Sequence, residues 1–186
     1  MGDDATRRRI GDVVVVDRAP KPPIERIGRQ FRINLDVEER DLIERLLNEL
    51  RQLLNEPVSS ATGVSGDDRL RRLFPAAYHQ ESDRELDEEY RRLMHDELQT
   101  SWLMGVDVVD GFISDSSKAG RKLSEEQVLA FVQALNGIRL VLGTILDVSE
   151  DHDFGDVEES HPMVGEFQLY DFLSWVLDWA VRALQS

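Results

Sequence analysis

The chain has 186 residues, with 22 Lys and Arg against 37 Asp and Glu, a formal charge of −15 and 41% apolar residues. That length suits one compact domain with a tail, or at most two small ones, and such acidity opposes any broad contact with nucleic-acid phosphates. Without a single cysteine there is no disulfide, thiol nucleophile, Cys-ligated zinc or iron–sulfur cluster. No secretory leader or membrane span is predicted, and the expected compartment is the cytosol.

Charge divides the chain unevenly. Residues 1–30 hold seven basic and five acidic residues, so this head is about +2 and the remainder about −17. Residues 1–6 fit the loose M-G-x-x-x-[ST] acylation pattern, yet so acidic a chain is poorly suited to an anionic lipid surface. Val13 to Val16 reads as a short strand stopped by the prolines that follow. Gln30 to Leu35 alternates, with Phe31, Ile33 and Leu35 on one side, so a small hairpin or edge ribbon is predicted.

The first helix is predicted from Asp36, whose side chain can accept the free amide hydrogens of the first turn while Glu39 reaches back. Leu42, Ile43, Leu46, Leu47, Leu50, Leu53 and Leu54 then form one apolar stripe up to Pro57. Residues 55–68 read as a loop rich in Pro, Ser and Gly, and a short helix over 68–74 should stop before Pro75.

A second long helical stretch follows Ser82, capped with Glu85. Leu86, Tyr90 and Leu93 share a face, but the next apolar set is Leu98, Trp102, Val106 and Val109. The five-residue step from 93 to 98 predicts a kink or break near Met94 to Glu97. After a loop at 114–122, Ser124 and Gln127 cap a helix with the stripe Val128, Phe131, Val132, Leu135, Ile138, Leu142 and Ile145. Residues 149–161 form an acidic loop with six carboxylates, two histidines and no base. The last helix, about Val164 to Leu184, is apolar on two faces: Tyr170, Leu173, Leu177, Ala180 and Leu184 on one, Phe172, Trp175, Val176 and Trp179 on the other. Such a helix is either central in a bundle or shared with a second subunit. The expected fold is all-α, a bundle of about five or six helices with a small N-terminal β element, divided into a basic segment 1–30 and an acidic helical domain 31–186.

Chemical signatures are sparse. No G-x-G-x-x-G or G-x-x-x-x-G-K precedes a helix, and no G-x-S-x-G is present, so neither a nucleotide site nor a serine hydrolase is expected. His79, His95, His152 and His161 could join carboxylates around a metal, but no H-x-x-x-H or E-x-x-H spacing puts two ligands on one predicted helix face. No catalytic residue, cofactor or metal is therefore expected. Arg7 to Arg9 and the group Arg26, Arg29 and Arg32 offer a weak nucleic-acid contact, with a solubilising tail as the plainer reading.

Two segments carry more information. Leu135-Asn136-Gly137-Ile138-Arg139-Leu140-Val141-Leu142-Gly143-Thr144, and Tyr170 to Trp175 with Val181 to Leu184, resemble the signature and closing helix of the actinobacterial oxidative-stress transcriptional regulator AosR family, long catalogued as a domain of unknown function. Phe74 to Tyr78 and Glu89 to Leu93 are weaker likenesses. The resemblance implies a cytosolic regulator acting on transcription with a sigma factor of RNA polymerase. The chain departs from a thiol-switch form of that idea, since it has no cysteine, and carries Met94 where the family tends to have Thr.

The expected function is thus a transcriptional regulator working through protein contacts, with a non-enzymatic dimeric adaptor as the alternative. A homodimer sharing Phe172, Trp175 and Trp179 is expected, as is an ion pair between Arg139 and Asp171, which would relieve a guanidinium at the core edge.

Overall fold

The computed structural model describes residues 21–56, 68–75, 84–114, 122–148 and 160–186. The expected strand at Val13 to Val16, the cap at Ser82, and most of the three predicted long loops lie outside the described residues. Two strands open the fold, β1 (Ile24–Ile27) and β2 (Gln30–Ile33), followed by helices α1 (Val37–Asn55) and α2 (Arg84–Ile113). A two-residue strand β3 (Lys122–Leu123) precedes α3 (Glu125–Ile145) and α4 (Val164–Gln185).

The hairpin exists, but β2 takes β1 as its partner. Ile24 pairs with Ile33 and Ile27 with Gln30, and Gly28, at φ +65°, supplies the left-handed conformation of the two-residue turn. β3 adds to the other edge of β2, Phe31 opposite Leu123. Alternation buries Phe31 and Ile33, and Ile24 of the basic segment lies in the same core.

The two expected capping boxes that fall within the described residues form. Asp36 Oδ1 accepts from the Glu39 amide at 2.8 Å while Glu39 Oε2 accepts from the Asp36 amide at 2.8 Å, and Ser124 and Gln127 exchange the equivalent bonds at 3.3 and 3.0 Å. α1 ends where the Gln99 side-chain amide of α2 donates to the carbonyl of Leu54.

Four α-helices are present among the described residues, fewer than the five or six expected, for two physical reasons. The segment 68–74 makes only a single 3-10 turn, Asp68–Leu70, before Pro75. And α2 is one helix of 30 residues with no break at Met94 to Glu97. The five-residue step is a change of face. His95, Val106 and Val109 are buried and Leu98 and Trp102 pack on the core, whereas Leu86, Tyr90 and Leu93 point outward and stay exposed.

α3 is the central element, packing on α1, α2, α4, the 3-10 turn and β2, with Val128, Phe131, Ala134 and Leu135 fully enclosed. By length and composition alone it is apolar enough to cross a bilayer, but half of its most apolar window is buried inside the fold. The second apolar face of α4 is mostly turned inward as well: Val176 is fully buried, and Phe172 and Trp179 pack against the core.

Arg40 was not singled out by the apolar pattern, yet it is buried on α1 three residues before Ile43 and seven before Leu47. Its guanidinium donates to the carbonyls of Leu35 at 3.0 Å and Ile33 at 3.3 Å, tying the end of β2 to α1 and giving the buried side chain two main-chain acceptors.

Candidate interaction surface

The segment 135–144 lies on α3 where it meets α2 and α4. Gly137 faces Trp102 so closely that a Cβ at 137 would stand 2.9 Å from Trp102 Cζ3. A Cβ at Gly143 would meet the Tyr170 ring and Arg72 Nη1, each at 3.1 Å. These two glycines let neighbouring helices approach α3, and Leu135, Ile138, Val141 and Leu142 fill the space between.

Arg139 leans across to α4, but not to Asp171. Its Nε donates to Ser174 Oγ at 2.8 Å, and the guanidinium carbon lies 4.7 Å from the centroid of the Tyr170 ring. Ser174 Oγ donates in turn to the Tyr170 carbonyl at 2.8 Å. Tyr170 and Ser174 are one turn apart on the side of α4 that faces α3. Asp171 is rotated about 100° from Tyr170 and is exposed, with no ion pair to Arg139 among the described residues. The half-buried guanidinium thus finds its relief in a hydroxyl and an aromatic face.

Arg139 and Ser174 border an open groove of about 470 Å³ between α3 and α4, which Leu129, Asn136, Asp178 and Val181 also line. A second open groove, about 660 Å³, runs between α2 and α3 along Glu97, Ser101, Met104 and Val108. Gln133 lines both, so the grooves form one continuous face over three helices. Its chemistry is apolar with a polar seam. The Ser174 proton goes to a main-chain carbonyl and not to a base, an arrangement that does not activate a nucleophile.

Of the three aromatic residues expected at a dimer surface, Trp175 is 42% exposed, with the Phe172 ring 6.2 Å away, and the half-buried Trp179 stacks with Arg182 at 5.8 Å. The basic trio of the hairpin separates. Arg26 Nη1 donates to the Ser186 carbonyl at 2.7 Å and lies over the Phe31 ring at 5.3 Å, holding the hairpin to the end of α4. Arg32 sits 3.6 Å from Glu25, and Arg29 is exposed at the turn.

Two of the four histidines, His79 and His152, lie outside the described residues. His95 is buried, stacked on Phe74 at 4.9 Å, and its Nε2 has no hydrogen-bond partner among the described residues. His161 accepts from the Met163 amide at 3.1 Å. Among the described residues no three His, Asp or Glu side chains gather as metal ligands.

A family model described as a domain of unknown function, DUF2017, matches residues 21–184. The chain belongs to the DUF2017 family. The match spans every element of this fold, from β1 to α4. No curated protein and no solved structure compared with this DUF2017 chain matches it.

The caps at Asp36 and Ser124 and most of the core of this DUF2017 fold were legible in the sequence. Arg40, whose signal was its spacing from Ile43 and Leu47, was missed, as was the packing role of Gly137 and Gly143, whose signal was small residues set within an otherwise bulky apolar helix.

Proposed function

We propose that this DUF2017 protein works by binding another protein, and that it acts on transcription through contact with a sigma factor of RNA polymerase. The observation that carries the binding half is the continuous face of α2, α3 and α4, where Met104, Val108, Leu129 and Val181 remain exposed around two grooves. Apolar side chains gathered on one face, beside polar groups such as Gln133, Asn136 and Asp178, suit a protein interface. The link to transcription comes from the likeness of residues 135–144, 170–175 and 181–184 to the oxidative-stress regulators. An acidic body favours a partner with basic docking groups. The signal it answers is not a thiol switch, since the chain has no cysteine.

A pull-down with the full chain from an actinobacterial lysate tests the reading. It predicts that RNA polymerase subunits or a sigma factor are retained above a control in which Met104 and Leu129 are both replaced by Asp. Retention of other machinery alone, such as a protease, rejects it.

One observation favours a second reading, the dimeric adaptor: Trp175 is open to solvent beside Phe172. Light scattering at micromolar concentration decides it. A dimer mass that falls to a monomer in Trp175→Glu supports the adaptor interface, and a monomer in both removes it.

A further inference from the structure

We propose that the outer face of α2 is a docking strip for a basic amphipathic helix, an inference that deepens the protein-binding reading above and rests on it. On one continuous helix, Leu86, Tyr90, Leu93, Glu97, Ser101, Met104 and Val108 follow each other at steps of three and four, and so lie on one stripe. Five of the seven are large and apolar, and all five are exposed: Leu86 53%, Tyr90 38%, Leu93 68%, Met104 64% and Val108 44%. The stripe lies opposite the core-facing set of His95, Leu98, Trp102, Val106 and Val109, so nothing in this helix's own packing requires it to be apolar. From Leu86 to Val108 it runs about 33 Å at 1.5 Å per residue. That is the length of a partner helix of about six turns.

Charge identifies the occupant. Glu85, Glu89, Asp96 and Asp107 fall on one flank of the stripe, between about 60° and 100° from Leu86 at 100° per residue, and all four are exposed. Asp107 is already paired with Arg51 at 2.9 Å. Glu97, also exposed, sits on the stripe itself, midway between its ends. The stretch 85–108 holds seven acidic residues, at 85, 87, 88, 89, 96, 97 and 107, against two arginines, at 91 and 92. A complementary helix presents apolar side chains toward both ends, a Lys or Arg opposite Glu97, and further basic residues along the acidic flank. A second copy is the poorer fit. Antiparallel self-packing centred on the stripe would set Glu97 against its own equivalent and acidic flank against acidic flank, between chains that each carry −15.

The test titrates the full chain into two fluorescein-labelled helical peptides of about 20 residues that share one leucine pattern at i, i+3 and i+4, one with lysine and one with glutamate at the remaining positions. The lysine peptide should bind at micromolar concentration and the glutamate peptide should not. Leu93→Asp, Met104→Asp and Glu97→Lys should each weaken lysine-peptide binding at least tenfold. These are exposed positions, so circular-dichroism melts should match the parent chain and separate loss of binding from loss of fold.

Absence of binding overturns the proposal, and so does binding that none of the three variants weakens, which assigns the peptide to diffuse negative charge. A dimer mass that Leu93→Asp abolishes gives the stripe to a second copy instead. A tenfold gain in peptide affinity on replacing Arg7, Arg8 and Arg9 with Glu gives it to the chain's own basic head. The transcription reading stands or falls apart from this: polymerase retention unaffected by Leu93→Asp keeps that reading and rejects the strip, whereas peptide binding without polymerase retention does the reverse.

Discussion

Gly137 shows most directly how a single side chain, or its absence, shapes this molecule. With 2.9 Å between a Cβ there and the Trp102 ring, Gly137→Ala forces that ring, or α2 with it, to shift against α3. A urea melt should show a loss of about 1–3 kcal/mol. Gly111 on α2 is the control, because a Cβ there meets nothing within 4 Å, and Gly111→Ala should be neutral or stabilise by up to about 1 kcal/mol through the helix propensity gained. Equal effects at the two positions would mean that the close approach at 137 carries no energetic weight. Arg139 makes a second test possible. Its bond to Ser174 predicts a non-additive double-mutant cycle for Arg139→Ala and Ser174→Ala, with a coupling of about 1 kcal/mol, while Arg139→Ala with Asp171→Ala should be additive. Coupling to Asp171 and none to Ser174 would restore the ion pair expected from the sequence.

At the scale of the element, the helices are defined by their ends as much as by their stripes. Asp36 and Ser124 each close a reciprocal cap. Replacing either by Ala should cost about 1 kcal/mol in thermal or urea melts, against almost nothing for Met163, which precedes α4 without a side-chain cap bond. These starts were legible from the sequence because a cap is a local device, complete within four residues. The continuity of α2 through Met94 to Glu97 was not legible, because periodicity shows that apolar residues change phase without showing whether the helix ends or merely offers a second face. In α2 the two faces coexist, His95 to Val109 inward and Leu86 to Val108 outward. In α4 the pattern correctly showed two apolar faces, but whether a second chain covers Trp175 depends on contacts that no spacing encodes. The partner of Arg139 depended on tertiary placement too: Asp171 and Ser174 lie three residues apart on α4, and only the rotation of that helix against α3 selects Ser174. The β1 pairing rested on a turn at Gly28 that lies beyond the reach of the hydrophobic alternation in β2.

For the whole molecule, the packing around α3 and the acidic surface support the proposed account, in which the outward face of α2, α3 and α4 receives a basic partner protein; the transcription machinery enters that proposal through the likeness of residues 135–144, 170–175 and 181–184 alone. The most direct measurement titrates the fluorescently labelled full chain with purified actinobacterial sigma factors and with RNA polymerase core enzyme, followed by anisotropy at low and at physiological salt. The account predicts a saturable complex with at least one sigma factor or with the polymerase carrying it, weakened by added salt and at least tenfold weaker in the Met104→Asp, Leu129→Asp double variant with its fold intact. No complex at micromolar concentration with any of them, or a complex indifferent to that double variant, would contradict it.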